Sequence, residues 1–221
     1  MVCYLSLGLG MGMGMTLALV FKSYLPDLEY FAITYLQSLD LLSPFSFFNK
    51  TIKLTLSDPV ISSSYQVMPH DIDRNCHMNN SSYLKQLNYA RRSYWNQFQL
   101  WKYLHQKNYN LFVSSQSIRY RKELHLWDRY DIAIRLISWC DQSRCFYLES
   151  QFLRNGFVHA IHWTKYNLVG KDSPKPSDVL FACSLIDSKD ANPVLSSDED
   201  LSLWIQANQI SSEKLNPKKR S

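Results

Sequence analysis

The hydrophobic period of this chain changes near residue 79, and this change constrains the fold more than any other feature of the sequence. From there, apolar residues recur every three or four positions, which places them on one side of a helix: Tyr83, Leu84, Leu87, Ala90, Tyr94, Trp95, Phe98 and Trp101. Asn79 or Asn80 can cap this helix, because an Asn side chain accepts hydrogen bonds from first-turn amides. The pattern predicts one long helix that ends at about Leu104.

Segments with strand character lie on both sides of this helix. One strand is expected before the helix and four after it, at 60–67, 112–121, 130–140, 145–154 and 157–167. Asn155-Gly156 is the strongest turn signal, because both residues tolerate a positive φ angle. The short, regular connections favour antiparallel neighbours, so the sequence predicts an α+β domain in which an antiparallel sheet curls around a single helix.

The domain organisation follows from the length and from the composition of the two ends. A single domain usually takes roughly 100–200 residues, so the 221 residues predict one domain with additional segments. The predicted parts are a hydrophobic segment at 1–22, a connector with a short helix at 23–58, the domain at 59–170 and a C-terminal extension at 171–221. An extended connection, an amphipathic helix and a basic tail are expected within the extension.

The N-terminal segment has no charged residue from Val2 to Phe21. A helix of about 20 residues spans roughly 30 Å, the thickness of the hydrocarbon layer of a bilayer, so we expect an uncleaved membrane anchor. A cleaved signal peptide is an alternative, although a basic start and a clear cleavage site are missing. A buried N-terminal helix is the other alternative.

The expected topology places the domain on the cytosolic side of the endoplasmic reticulum membrane. Lys22 is the first charge after the hydrophobic segment, and positive residues favour the cytosolic side. The final residues, Lys218-Lys219-Arg220-Ser221, resemble the dilysine signal that retrieves membrane proteins with a cytosolic C-terminus to this organelle. Glycosylation sequons at Asn49 and Asn79 leave a secreted or lumenal domain as the alternative.

Charge and cysteine content argue against several classes of function. The net charge of +5 is spread along the chain, whereas nucleic-acid-binding proteins concentrate basic residues on one face, so no nucleic-acid partner is expected. The five cysteines have irregular spacing and no C-x-x-C pair, which argues against a zinc or redox site. Free thiols in a reducing compartment are expected, and a bridge between Cys140 and Cys145 across a hairpin is left open.

The stretch from Asp71 to Tyr83, with the sequence DIDRNCHMNNSSY, carries the chemistry. It lies between the first strand and the helix start, where free amides and the helix dipole favour negative charge. A thioester develops negative charge on its carbonyl oxygen during hydrolysis, and preorganised donors at that position lower the barrier. Asp73 and His77 lie four residues apart and can supply a nucleophile or a base for water.

The spacing D-x-D-x-N-x-H-x-N-N-x-x-Y resembles the active-site segment of hot-dog-fold acyl thioesterases, which include 4-hydroxybenzoyl-CoA thioesterase-like enzymes and plant acyl-ACP thioesterases. The resemblance implies the hot-dog fold and a catalytic carboxylate at Asp73, which Asn75 and His77 join in the acyl-ACP branch. It also implies substrate-binding residues at the helix start: Asn79, Asn80, Ser81, Ser82 and Tyr83.

The resemblance extends to segments 139–149, 155–158 and 203–212, which are similar to a thioesterase-like branch of the family. It implies hydrolysis of acyl thioesters. Fatty acyl-CoA is the expected substrate, because such lipids partition to the cytosolic side of the membrane on which the domain is expected. The family's members generally form homodimers with the site at the subunit boundary, and their chemistry implies neither a metal nor a cofactor. A catalytically inactive hot-dog protein that binds acyl-CoA or acts as a scaffold is the alternative.

The motif residues also have plainer interpretations. Asp73 can cap a turn in a polar loop, and Asn75 and His77 can be structural residues held by hydrogen bonds. Cys76 stands where many members of the family have glycine. Its larger side chain is expected to alter the loop near the helix start or to narrow the pocket.

Overall fold

The computed structural model describes residues 59–189 and 199–215. Its regular elements are β1 (Val60–Gln66), α1 (Asn80–Gln97), α2 (Leu100–Lys107), β2 (Asn110–Tyr120), β3 (Arg129–Cys140), β4 (Cys145–Arg154), β5 (Phe157–Val169), α3 (Pro176–Ala182) and α4 (Glu199–Lys214). The N-terminal hydrophobic segment, the helix expected in the connector and the basic tail lie outside these residues. Within them, no helix has both the length and the hydrophobicity that a membrane span requires.

The strands form one antiparallel sheet in the order β1-β3-β4-β5-β2. β3, β4 and β5 follow one another as two hairpins, whereas β1 pairs with β3 and β2 pairs with β5 at the two edges. The apolar stripe of α1 packs against one face of this sheet. This arrangement is the hot-dog fold, and the prediction of an α+β hot-dog domain is confirmed.

Aromatic side chains of α1 connect the helix to the inner face of the sheet. Trp95 packs edge-on against Phe146 and Tyr166, with ring centroids 5.7 and 6.4 Å apart. Such pairs add about 0.5–1.5 kcal/mol each beyond the burial of their area. The Tyr94 hydroxyl accepts a hydrogen bond from the Leu136 N–H at 3.1 Å, next to a register shift in β3, and burial raises the pKa of Tyr94. The helix therefore has a fixed register against the sheet.

The two hairpins among β3, β4 and β5 agree with their sequence signals. Asn155 and Gly156 both adopt left-handed conformations, with φ angles of 51° and 74°, in the turn between β4 and β5. Cys140 and Cys145 are partners across the β3–β4 hairpin, and both thiols are free. The bridge that the sequence left open is therefore absent from this pair.

The single long helix predicted from the sequence is two helices, so its predicted end at Leu104 is wrong. Gln99, with a φ angle of 56°, separates α1 from α2. Residues two positions apart on a continuous helix point about 200° apart, yet Phe98 and Leu100 are both buried in the same core. The break allows both side chains to face the core.

The chain after β5 contains α3, which the sequence pattern did not predict. This helix lies within the expected extended connection. Pro176 suits its first position, where the missing N–H removes no helical hydrogen bond. The Asp141 carboxylate accepts hydrogen bonds from the N–H and the hydroxyl of Ser177 at 3.0 and 2.5 Å. On the outer face of the sheet, Trp204 of α4 packs against Trp163 with ring centroids 5.9 Å apart.

Candidate active site

The motif loop, residues 71–79, is a small hairpin between β1 and α1. Ile72 and Met78 pair through a bridge, and the Asp73 N–H donates a hydrogen bond to the His77 carbonyl at 3.0 Å. These backbone contacts place Asp73 and His77 opposite each other. The loop thus brings together two of the three residues predicted to be catalytic.

Cys76 occupies the left-handed position of this hairpin. Its N–H donates to the Asp73 carbonyl at 3.1 Å, and its φ angle is 62°. A residue with a Cβ atom has about 1–2 kcal/mol of strain in this conformation, whereas glycine adopts it freely. The backbone geometry therefore explains why glycine suits this position, and Cys76 occupies it at a cost in conformational strain.

Asp73 is a half-buried carboxylate with two contacts inside the loop. Its Oδ1 accepts a hydrogen bond from the Asn75 N–H at 2.8 Å, which is the contact by which aspartate caps a turn. Its Oδ2 lies 3.7 Å from Nδ1 of His77. The capping role and the position beside an imidazole therefore coexist in one side chain.

His77 and Asn75 differ in how the loop holds them. The His77 side chain is 29% exposed, and its Nδ1 lies 3.4 Å from the Met78 carbonyl. A proton on Nδ1 therefore has the Asp73 carboxylate and this carbonyl as neighbouring acceptors. Asn75 lies at the exposed tip, where its backbone N–H, rather than its side chain, holds Asp73.

The start of α1 is capped by Asn79, one of the two residues predicted for this role. Its side-chain oxygen accepts hydrogen bonds from the N–H and the hydroxyl of Ser81, both at 3.0 Å. Its carbonyl accepts from the N–H groups of Ser82 and Tyr83 at 2.9 and 3.4 Å. Within residues 59–189 and 199–215, the Asn80 N–H has no acceptor. It is the first-turn amide that these contacts leave open.

Ser82 and Tyr83, which were predicted to bind substrate, are buried residues with partners inside the domain. The Ser82 hydroxyl donates to the Asp71 carbonyl at 3.2 Å. The Tyr83 ring packs edge-on against Tyr120 and Phe152, with centroids 5.1 and 4.8 Å apart. Burial raises the pKa of Tyr83 to about 12, so its hydroxyl is neutral at physiological pH. A contact of either residue with substrate stays a prediction.

Asp71 was not predicted as a site residue, although the D-x-D pair contains it. Its carbonyl accepts a hydrogen bond from the Asn79 N–H at 2.7 Å, which joins the loop to the helix start. Its side chain is 1% exposed, and Oδ2 accepts from the Met68 N–H at 3.1 Å, while Oδ1 lies 3.6 Å from Nε2 of His70. Desolvation and, to a smaller extent, the Asp71 charge raise the pKa of Tyr130.

A second loop, residues 121–128, lies beside the motif loop. The Met78 N–H donates to the Leu124 carbonyl at 2.8 Å, and His77 pairs with His125 through a bridge. No local sequence pattern connects these two loops, because their contact depends on the order of strands in the sheet. His125 is therefore a neighbour of the site that the motif alone does not reveal.

The comparison with known families covers the motif loop and most of the sheet. A family model described as the thioesterase-like superfamily matches residues 67–179, about half of the chain. The chain belongs to the thioesterase-like superfamily. All of the predicted site residues fall within the matched range of this thioesterase-like domain, and the resemblance read from the motif is confirmed.

Relatives of this thioesterase-like chain are similar over most of their length. Protein THEM6 of Xenopus laevis is 31% identical over 168 residues, which cover 74% of this chain and 77% of that protein. Protein THEM6 of Danio rerio is 30% identical over 172 residues, which cover 76% of this chain and 79% of that protein. Among solved structures, BH1999 gentisyl-coenzyme A thioesterase is 20% identical, with a TM-score of 0.48, and covers 55% of this chain and 98% of its own.

Proposed function

We propose that this domain hydrolyses acyl thioesters and that Asp73 is its catalytic carboxylate. The observation that supports the proposal is the geometry of the motif loop. Its carboxylate lies 3.7 Å from the His77 imidazole, and the same loop leads directly to the open Asn80 N–H at the start of α1. A carboxylate, an imidazole and a donor for a developing oxyanion therefore belong to one short segment.

The chemistry requires attack on the thioester carbonyl carbon. The attacking group is a water that Asp73 deprotonates, or the Asp73 carboxylate itself, which forms an anhydride that water then cleaves. The C–S bond breaks, its electron pair leaves with sulfur, and the thiolate takes up a proton. The Asn80 N–H and the positive end of the α1 dipole stabilise the oxyanion. His77 and Asn75 orient the carboxylate or the water.

Fatty acyl-CoA is the substrate class that we propose. Such a molecule combines an anionic nucleotide with a long apolar chain that partitions into membranes. The net charge of +5 is compatible with an anionic substrate. The uncharged segment from Val2 to Phe21 supports a membrane anchor, which would hold the enzyme where such lipids collect.

The proposal is tested by thiol release from acetyl-, octanoyl- and palmitoyl-CoA with the full chain. Asp73→Ala is expected to lower the rate about 100-fold or more, the usual contribution of a positioned acid–base group. Asp172→Ala, which changes an exposed aspartate after β5, is the matched control and should leave the rate unchanged. Equal rates for the wild-type protein and Asp73→Ala would exclude the catalytic role.

A second candidate function is binding of acyl-CoA without turnover. Two observations favour it: the Asn75 N–H already occupies one oxygen of Asp73, and strained Cys76 replaces the glycine that suits the loop. In this case, the full chain binds a thioether analogue of palmitoyl-CoA with equal affinity before and after Asp73→Asn, and no thiol is released from the thioester. Thiol release that depends on Asp73 would exclude this alternative.

We also propose a homodimer that pairs through the beginning of β2, around Phe112 and Val113. This edge strand exposes Phe112 and Val113, at 56% and 41%, and an exposed apolar edge strand is a template for pairing with another chain. Light scattering should give the mass of two chains for the wild-type protein and of one chain for Phe112→Asp. Leu203→Asp, which changes an exposed residue of α4, is the control that should remain dimeric.

For the location, we propose the cytosolic face of the endoplasmic reticulum membrane. The hydrophobic segment, Lys22 and the C-terminal Lys218-Lys219-Arg220-Ser221 support this topology. A C-terminal epitope should be digested by protease in intact microsomes, and the protein should resist carbonate extraction. A protected epitope together with glycosidase-sensitive Asn49 or Asn79 would instead indicate a lumenal or secreted domain.

A further inference from the structure

Five large apolar side chains are exposed at the end of the sheet that holds the motif loop. We call them the site-end patch: Met68, Tyr120, Leu126, Trp127 and Phe157. Their exposed fractions range from 37% for Met68 to 54% for Trp127. Single exposed apolar residues are normal in proteins, but a group of them in one region marks a surface that binds something.

The first part of the patch comes from two segments that the backbone joins. The Trp127 N–H donates a hydrogen bond to the Val67 carbonyl at 2.9 Å, and the Gln66 side-chain amide donates to the Trp127 carbonyl at 3.0 Å. These bonds place Leu126 and Trp127 beside the end of β1, where Met68 follows.

The second part of the patch lies where the loop of residues 121–128 begins, and the same loop carries Leu126 and Trp127 of the first part. The Arg121 guanidinium lies 5.0 Å from the centre of the Phe157 ring, and its NH1 donates to the Val158 carbonyl at 3.3 Å. The Tyr120 hydroxyl donates to the Asn80 carbonyl at 3.3 Å. The patch therefore extends from the β4–β5 turn to the start of α1.

The backbone of Trp127 is an independent sign that this surface has a function. Its φ angle is 68°, and a bulky residue with positive φ is an outlier. More than half of this side chain is exposed, so packing inside the domain does not account for the choice of tryptophan. Strained backbone of this kind is concentrated at functional sites.

Basic residues flank the site-end patch along the chain. Between residues 119 and 129 the chain has four basic and two acidic residues. The basic ones are all exposed: Arg119, Arg121, Lys122 and Arg129. One of the two acidic residues, Asp128, is paired with Arg154 at 2.7 Å. The segment that carries most of the patch therefore has a net positive charge, and its Arg121 and Lys122 lie over the Phe157 ring, 5.0 and 5.8 Å from its centre.

This combination fits an anionic lipid bilayer. Tryptophan and tyrosine prefer the level of the headgroups, and lysine and arginine are attracted to anionic lipids. A second copy of this chain is a poorer occupant, because a two-fold interface would bring the same positive charges against each other.

We propose that the site-end patch docks on an anionic bilayer and turns the motif loop towards the lipid. The loop with Leu126 and Trp127 is bonded to the motif loop through the Met78 N–H and the Leu124 carbonyl, 2.8 Å apart. Docking there would let an acyl chain pass from the membrane to the site. The inference thus deepens the proposed function, on which its role in substrate supply rests, but docking itself requires no turnover.

The test measures quenching of tryptophan emission by brominated lipid. The full chain is mixed with vesicles of phosphatidylserine and brominated phosphatidylcholine, and the quenched fraction is compared between the wild-type protein and Trp127→Phe. The wild-type protein is expected to lose up to about one sixth more of its emission, because the chain has six tryptophans. In Arg121→Gln/Lys122→Gln, the quenched fraction should fall towards that of Trp127→Phe. The same decrease is expected for the wild-type protein in vesicles without phosphatidylserine.

Trp204→Phe is the matched control. Trp204 is packed against Trp163 on the outer face of the sheet, so its removal should leave a quenched fraction at least as large as that of the wild-type protein. Equal quenched fractions for the wild-type protein and Trp127→Phe would overturn the proposal. Without lipid, the emission of the wild-type protein could instead shift to the blue as protein concentration rises, while that of Trp127→Phe does not. This result would also overturn the proposal, in favour of a second copy. Loss or absence of thioester hydrolysis does not change this readout, so the two proposals fail separately.

Discussion

The β4–β5 turn and the loops of the candidate site lie at the same end of the sheet, but they place different residue types in left-handed conformations. The β4–β5 turn uses Asn155 and Gly156, with φ angles of 51° and 74°, and both types adopt this conformation readily. The site loops use Cys76 and Trp127, with φ angles of 62° and 68°, at about 1–2 kcal/mol of strain each. Local sequence and structure agree in the β4–β5 turn. They disagree beside the candidate site, which is where strain is expected in a functional protein.

The strongest test of this difference separates activity from stability in the motif loop. Asp73→Asn is expected to lower thioester hydrolysis about 100-fold or more, because it removes the carboxylate. The free energy of unfolding in urea should change by less than about 1 kcal/mol, since asparagine also caps turns. Asn155→Asp in the β4–β5 turn is the control, and its hydrolysis rate should equal that of the wild-type protein. A parallel loss of stability and rate in Asp73→Asn would assign a structural role to this residue.

Gly156→Val should have the largest effect on stability among changes in these turns. An added Cβ atom meets nothing within 4 Å, so the expected loss of about 1–2 kcal/mol in the free energy of unfolding comes from backbone strain alone. Urea denaturation measures this loss. Gly156→Asn should lose much less, because asparagine tolerates positive φ. Equal stability of all three proteins would show that the turn relaxes.

Cys76→Gly should have the opposite sign. It removes the strain of the left-handed residue but gives the unfolded chain more conformational freedom, so we expect a net gain of about 0.5–1 kcal/mol in the free energy of unfolding. Cys76→Ala retains the Cβ atom and should show no gain. If alanine stabilises the protein as much as glycine, the thiol rather than the backbone is the source of the strain.

Trp127→Asn should give the smallest gain, a few tenths of a kcal/mol to about 1 kcal/mol, because asparagine is better suited to positive φ. Thermal unfolding of the full chain without lipid measures this change. Trp127→Phe keeps a bulky residue in the strained conformation and should match the wild-type melting temperature. Destabilisation by Trp127→Asn would mean that the indole ring contributes more packing than its exposure indicates.

Local signals were sufficient for the sheet and for the location of the motif, but not for contacts that depend on packing. The Asn155-Gly156 turn follows from two residue types alone. The break at Gln99 does not, because it depends on burying Phe98 and Leu100 together in a core that exists only after folding. The connection of the site to His125 requires the strand order, which no short sequence window contains.

The predicted site residues show the same limit. The spacing of the motif identified Asp73 and His77, and the structure places them side by side. It did not identify Asp71, whose contribution is a backbone carbonyl that accepts from Asn79, because a carbonyl has no signature in residue type. The open amide of Asn80 in the first turn of α1 likewise depends on how Asn79 uses the other first-turn groups.

Two hydrogen bonds hold the end of the motif loop that leads into α1, and they limit how this region can move. The Asn79 N–H is held by the Asp71 carbonyl at 2.7 Å, and the Met78 N–H by the Leu124 carbonyl at 2.8 Å. A hinge that opened the loop at this end would break both bonds, so the loop is fixed to its neighbours and is not built to move as a lid. Both amides should therefore exchange with deuterium as slowly as those of the sheet, and a ligand should enter past a fixed rim.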